Sequence, residues 1–138
     1  MGQDESEEAV DPRRALGARG EACAAACLAK RGWSIEATNW RFGGGELDIV
    51  ASRPHGEGEL VIFVEVKTRA RGARARPESS VTARKRRQIV ALAKAYLRER
   101  GVGPVSARFD VIAVSVRGEE RARVRHMPGA FDSRGALR

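Results

Sequence analysis

Apolar residues run together or alternate in five short stretches of this chain, and they recur at helical spacing in two longer ones. An alanine-rich stretch from about Arg14 to Arg31, closed by Gly32, predicts a first helix. Trp33 to Trp40 reads as a strand, Arg41 to Gly45 as a turn, and Glu46 to Ser52 as a second strand. A hairpin-type loop over 53–58 leads to a third strand, Glu59 to Thr68. In that strand Leu60, Ile62, Val64 and Val66 line one face, while Val61 and Phe63 take the other. A strand apolar on both faces is a central one. A polar, arginine-rich loop over 69–80 precedes a second helix, from Thr82 as N-cap to Gly101. Its apolar stripe is Ile89, Leu92, Ala93, Tyr96 and Leu97. Arg108 to Val116 and Ala122 to Met127 complete the strands, and Phe131 is placed to pack back on the core. The order α-β-β-β-α-β-β predicts an α/β fold, a mixed sheet of about five strands with helices against its faces.

Length and composition narrow the class. At 138 residues, with 42% hydrophobic and 32% charged side chains, the chain reads as one soluble domain. It lacks the roughly 20-residue apolar run of a membrane span and a basic leader of the secretory type, so the cytoplasm is the expected compartment. Residues 1–12 carry five acids and no base and read as a disordered tail. The folded domain is expected over 13–131, and 132–138 as a second disordered tail. Cys23 and Cys27, four apart on a helix, are too widely separated for a disulfide. Without nearby histidines (His55 and His126 stand isolated) they read as small core thiols.

The net charge of +8 rises to +13 once the acidic tail is set aside, the balance of a domain that attracts polyanions. Only four of the 26 basic residues are lysine. A GC-rich coding bias accounts for that preference, but not for the positive excess.

Three ionised residues interrupt the apolar strands: Asp48, Glu65 and Lys67. Burying an unpaired charge costs several kcal/mol, so strands built only for structure avoid it. Glu65 and Lys67, two apart, leave one strand face, and Glu46 and Asp48 bear the same relation on the preceding strand. If these strands pair as a hairpin, Asp48 and Glu65 can share a cation. Hard carboxylate oxygens suit magnesium or manganese, and Lys67 beside them suits the charge developing in phosphodiester cleavage. For one acid–lysine pair a half-exposed salt bridge is the plainer reading; the whole arrangement within apolar strands favours a site. Glu46 reads either as a further ligand or as a solvated neighbour, and Asp110, beside Arg108, as half of a structural ion pair.

Asp48, then sixteen residues, then Glu65-Val66-Lys67 resembles the PD-(D/E)xK motif of the restriction-endonuclease-like nuclease superfamily. Over residues 17–131 the chain resembles the YraN-like bacterial proteins, themselves similar to archaeal Holliday-junction resolvases. The resemblance is carried by Gly17-Ala18-Arg19-Gly20-Glu21, Gly45-Glu46-Leu47-Asp48, Phe63-Val64-Glu65-Val66-Lys67, Lys85 and Arg108-Phe109-Asp110-Val111. It implies a restriction-endonuclease-like sheet, Asp48 and Glu65 as ligands of Mg²⁺ or Mn²⁺, and Lys67 as the catalytic lysine. Glu21 would be the helix glutamate that completes the site, and a homodimer the working form. Leu47 stands where the superfamily's nominal motif has proline, as in the YraN-like pattern.

Arg69, Arg71 and Arg74 follow the third strand, and Arg84, Lys85 and Arg87 open the second helix. They are placed to hold phosphates on both sides of a scissile bond. No aromatic is interleaved with them, so base stacking is not signalled. The expected function is a divalent-metal-dependent endonuclease acting on DNA, branched or damaged DNA included. The alternative is a nucleic-acid-binding module with a vestigial nuclease site.

Overall fold

The computed structural model describes residues 11–70, 80–101, 103–118 and 121–138. Its elements are α1 (Pro12–Lys30), β1 (Ser34–Phe42), β2 (Gly45–His55), β3 (Gly58–Ala70), α2 (Ala83–Arg100), β4 (Val105–Arg117) and β5 (Arg121–Phe131). They form one five-stranded sheet in the order β1-β2-β3-β4-β5. All neighbours are antiparallel except β3 and β4, which α2 joins as a parallel crossover. This is the expected α/β order with a mixed sheet.

Most elements are longer than the apolar pattern indicates, because ladder pairing carries polar residues along. α1 begins at Pro12 because the Asp11 side chain accepts from the Arg13 N–H at 3.0 Å, an N-cap followed by proline at the first helical position. Asp11 therefore caps the helix rather than ending a tail; the remainder of the predicted acidic tail, 1–10, lies outside the described residues. The loop expected over 53–58 narrows to a turn closed by the pair His55↔Gly58, with Gly56 at φ 57°. Pro54 is tolerated in β2 because pairing with β1 has already ended at Ser34↔Ser52.

The C-terminus departs most from expectation. β5 runs to Phe131, whose ring stacks on Phe109 at 5.2 Å and is 1% exposed. Residues 132–138, expected as a tail, fold back through Arg138 N–H to the Ala130 carbonyl and a bridge between Phe131 and Leu137. The Arg86 guanidinium fastens this turn to α2, donating to the Gly135 carbonyl at 2.6 Å and to Val81 at 2.5 Å.

Each helix covers one sheet face. Ala24 and Leu28 of α1 pack over Ile49, Ile62, Val64, Ile112 and Val114. Ile89, Leu92 and Ala93 of α2 pack over Val61, Phe63, Phe109 and Val111. β3 contributes to both layers, as a central strand must, and each fully buried aliphatic or aromatic side chain adds about 1.5–3 kcal/mol. Gly20 brings α1 close to β3: it is buried, and a β-carbon there would overlap the Thr68 side chain. Cys23 and Cys27 are free, half-buried thiols, Cys23 resting on the core. Among the described residues no helix is long and apolar enough to cross a membrane.

Candidate functional site

β2 and β3 pair from His55↔Gly58 as far as Ile49↔Val64 and then part. Beyond that point β2 stays with β1 down to Phe42↔Gly45, while β3 stays with β4 up to Ala70↔Val116. The sheet forks, and Asp48 and Glu65 are the first residues past the last pair. Asp48 is accommodated because its Oδ2 accepts from the Val66 N–H at 2.9 Å, standing in for the lost backbone partner.

Glu65 is only 6% exposed, and its carboxyl hydrogen-bonds that of Asp48. Burial and the Asp48 charge push the Glu65 pKa up to about 8, against the pull of Lys85 and Lys67. Burial also raises Asp48, opposed by the Val66 N–H and the Glu65 carboxyl. Two desolvated carboxylates in contact cannot both ionise cheaply, so near neutral pH the pair holds one proton, with Glu65 donating to Asp48. Lys67 Nζ lies 3.9 Å from Glu65 Oε1, with about a third of its side chain exposed.

Two further acids complete the cluster. The close approach at Gly20 sets the next residue of α1, Glu21, beside β2. Glu21, Glu46 and Asp48 each offer a carboxylate oxygen within 4.8 Å of the others. Burial raises the Glu21 pKa, opposed by a hydrogen bond from Asn39 and assisted by the charges of Asp48 and Glu46. Asn39 holds two of the acids in place: its Nδ2 donates to Glu21 Oε2 at 2.9 Å and to Glu46 Oε1 at 2.7 Å. It does so from φ 50°, a left-handed conformation that asparagine adopts more readily than most residues. Arg41 steadies Glu46 from the other side at 3.1 Å.

The closest triad is thus Glu21, Glu46 and Asp48, with Glu65 joining through its contact with Asp48. Glu46, which sequence left open between ligand and solvated neighbour, belongs to the acidic cluster. Asn39 escaped sequence reading altogether; its one signal was an asparagine inside a strand, where that residue is depleted. Four carboxyl groups offer only hard oxygen donors, and two of them share a proton that a cation can replace. That donor set fits Mg²⁺ or Mn²⁺.

The basic residues divide. The Lys85 charge acts on both Asp48 and Glu65, and its backbone N–H bonds the capping Thr82 Oγ1 at 3.1 Å. Arg84 and Arg87 are exposed on the first turns of α2. Arg69 follows Lys67 along β3, and Arg71 and Arg74 lie outside the described residues. Asp110 sits apart: it is fully buried, with Arg108 at 2.9 Å, His126 Nε2 at 2.7 Å and the Gly129 N–H at 2.9 Å. Burial alone would raise its pKa, but these partners hold it low, the mark of a structural ion pair. His126 is therefore not isolated, as its place in the sequence suggested, because β5 pairs it beside β4. A cavity of about 280 Å³ behind α2, lined in part by Lys94, Phe131 and Asp132, contains none of the acids of the fork.

The uncharacterised protein family UPF0102 matches residues 20–114, a span holding every acid and lysine of the site. A UPF0102 protein of Anaeromyxobacter dehalogenans is 44% identical over 125 residues, covering 91% of this chain and 90% of the relative. One from Syntrophotalea carbinolica is 47% identical over 123 residues, 89% of this chain and 96% of that one. One from Myxococcus xanthus is 43% identical over 121 residues, 88% and 92% respectively.

Proposed function

The chain belongs to the uncharacterised protein family UPF0102, and we propose that it is a divalent-metal-dependent endonuclease that hydrolyses phosphodiester bonds in DNA. The observation that carries this reading is the forked sheet, which packs Asp48 and Glu65 into one proton-sharing pair beside Lys67, Glu21 and Glu46. Structural strands gain nothing from such a cluster, since each buried carboxylate lowers stability unless paired.

Asp48 and Glu65 would hold the cation, with Glu21 and Glu46 offering further carboxylate oxygens beside Asp48. When bound, a divalent cation supplies Lewis acidity and offsets charge accumulating on the phosphate. With a cation in place, Asp48 and Glu65 would release the proton they share to solvent and act as two anions. Lys67, its side chain about a third exposed, orients the attacking water or donates to a phosphate oxygen as negative charge builds there. Lys85, at the opening turn of α2, adds a second positive charge that acts on both Asp48 and Glu65. The exposed Arg84 and Arg87 lie beside it and are suited to the flanking phosphates. Backbone contacts of this kind give weakly sequence-specific, salt-sensitive binding.

The test is cleavage of linear, flapped and four-way DNAs with Mg²⁺ or Mn²⁺ by the wild type and by Asp48→Ala, Glu65→Ala and Lys67→Ala. Each substitution should lower the rate on the order of a hundredfold or more while the folded far-ultraviolet spectrum persists. Wild-type rates in all three variants would overturn the proposal. DNA binding without cleavage at any metal concentration would favour the vestigial-site module.

A further inference from the structure

The side of the sheet that carries α2 is only half covered by it. α2 packs over Val61, Phe63, Phe109, Val111 and Phe131, which leaves the C-terminal ends of β3 and β4 and the start of β5 beyond its reach. On β4, Ile112, Val114 and Val116 face α1, so Ala113 and Ser115 face the other way by strand alternation. The registers align rows across three strands: Lys67, Ala113 and Arg125 form one, and Arg69, Ser115 and Arg123 form the next. Arg121 continues the β5 series, two residues before Arg123. Arg121, Arg123 and Arg125 are all exposed, and no carboxylate among the described residues pairs with them. Glu119 and Glu120, between β4 and β5, lie outside the described residues.

We propose that this sheet surface, which no described element covers, is the seat of the DNA backbone, a track that runs from the carboxylate fork across β4 to the β5 arginines. The inference rests on the nuclease reading and gives that site a substrate-binding surface that no motif marks. Its floor is made of small side chains on β4, the exposed Ser115 and the buried Ala113. Its walls are Lys67 and Arg69 on β3, and the three arginines on β5. Wall to wall is two strand spacings, about 10 Å, and the β5 arginines span about 14 Å along the strand. Those dimensions suit a sugar–phosphate strand rather than a point anion, and the floor offers no large apolar or aromatic side chain to a protein partner or an unstacked base. Lys67 belongs both to the track and to the fork, so a strand seated on the arginines is delivered to the acids. Lys85 on the first turn of α2 also acts on Asp48 and Glu65, so it would meet the same strand where it reaches the acids.

The test compares the wild type with Arg121→Gln/Arg123→Gln/Arg125→Gln and with Arg13→Gln/Arg14→Gln/Arg31→Gln. The second variant removes equal charge from exposed positions at the ends of α1, which covers the opposite face. Binding of a fluorescein-labelled duplex of about 30 base pairs is followed by anisotropy across a salt series without divalent metal. Losing three phosphate contacts should reduce the slope of log K against log salt by about 2.7 and weaken binding at least tenfold near 0.1 M salt. The α1 variant should keep the wild-type slope, and melting curves of both should match the wild type. Equal losses in the two variants would reduce the track to net charge and overturn the proposal. An unchanged slope in the β5 variant would overturn the track and leave the nuclease reading standing, because cleavage by the wild type is measured separately. A wild type that binds no DNA would overturn both.

Discussion

A carboxyl group whose pKa stands near 8 inside a sheet makes stability depend on pH in an unusual direction. The folded state holds the Glu65 proton more tightly than the unfolded chain, whose value is near the ordinary 4.5. The stabilisation is therefore complete below about 4.5 and is lost as pH rises through about 8. Asp48 is displaced in the same direction. Glu36 acts oppositely: the Arg100 hydrogen bonds hold it at about 2, so its contribution is lost only in strong acid, outside this window. Metal-free protein should consequently melt at lower temperature at pH 8.5 than at pH 5.5. Glu65→Gln, unable to ionise, should flatten that dependence and exceed the wild type at the alkaline end. Parallel wild-type and variant melting profiles would contradict the shared proton. Asn39 belongs to the same scale. Asn39→Ala removes the donor that holds Glu21 and Glu46 together, and it should weaken Mn²⁺ binding by about 10–100-fold, the usual effect of losing an outer-shell partner. Manganese titration of the two proteins measures it directly.

At the scale of elements, the close packing of α1 on β3 is what carries Glu21 to the fork. Gly20 is buried against Thr68, whereas Gly17, one turn earlier, has open space around it. Helix propensity alone would make alanine better than glycine at either position by about 1 kcal/mol. At Gly20 the overlap outweighs that gain, since overpacking costs about 1–3 kcal/mol. Gly17→Ala should therefore raise the melting temperature slightly and Gly20→Ala should lower it, with Gly20→Ala also losing metal affinity as Glu21 is pushed away. Equal effects would show that α1 is free to retreat from the sheet. Sequence revealed these elements because β3 is apolar on both faces and α2 has a clean stripe. It did not reveal their ends, because polar residues such as Arg69, Ser106 and Arg121 join strands through ladder bonds that no periodicity records. Nor did it reveal the C-terminal turn, whose order comes from Arg86 reaching across to Gly135.

For the whole molecule, the order of elements and the three charged residues of β2 and β3 were readable in the chain because charge inside an apolar strand has few physical justifications. What holds those charges was not readable. The parting of β2 from β3 after Ile49↔Val64, the left-handed Asn39 and the entry of Glu46 into the cluster depend on register and on a helix crossing a sheet. The alignment of Lys67 and Arg69 with the exposed β5 arginines likewise exists only once β3, β4 and β5 lie side by side.

All of this converges on one claim, that the forked sheet builds a divalent-metal centre. Calorimetric titration of Mn²⁺ into the wild type and into Asp48→Ala/Glu65→Ala at pH 7, in two buffers of different ionisation enthalpy, tests it most directly. The account predicts binding by the wild type with release of about one proton per ion, that shared by Asp48 and Glu65, and no binding by the double variant. Equal affinity in the two proteins, or none in either, would contradict it.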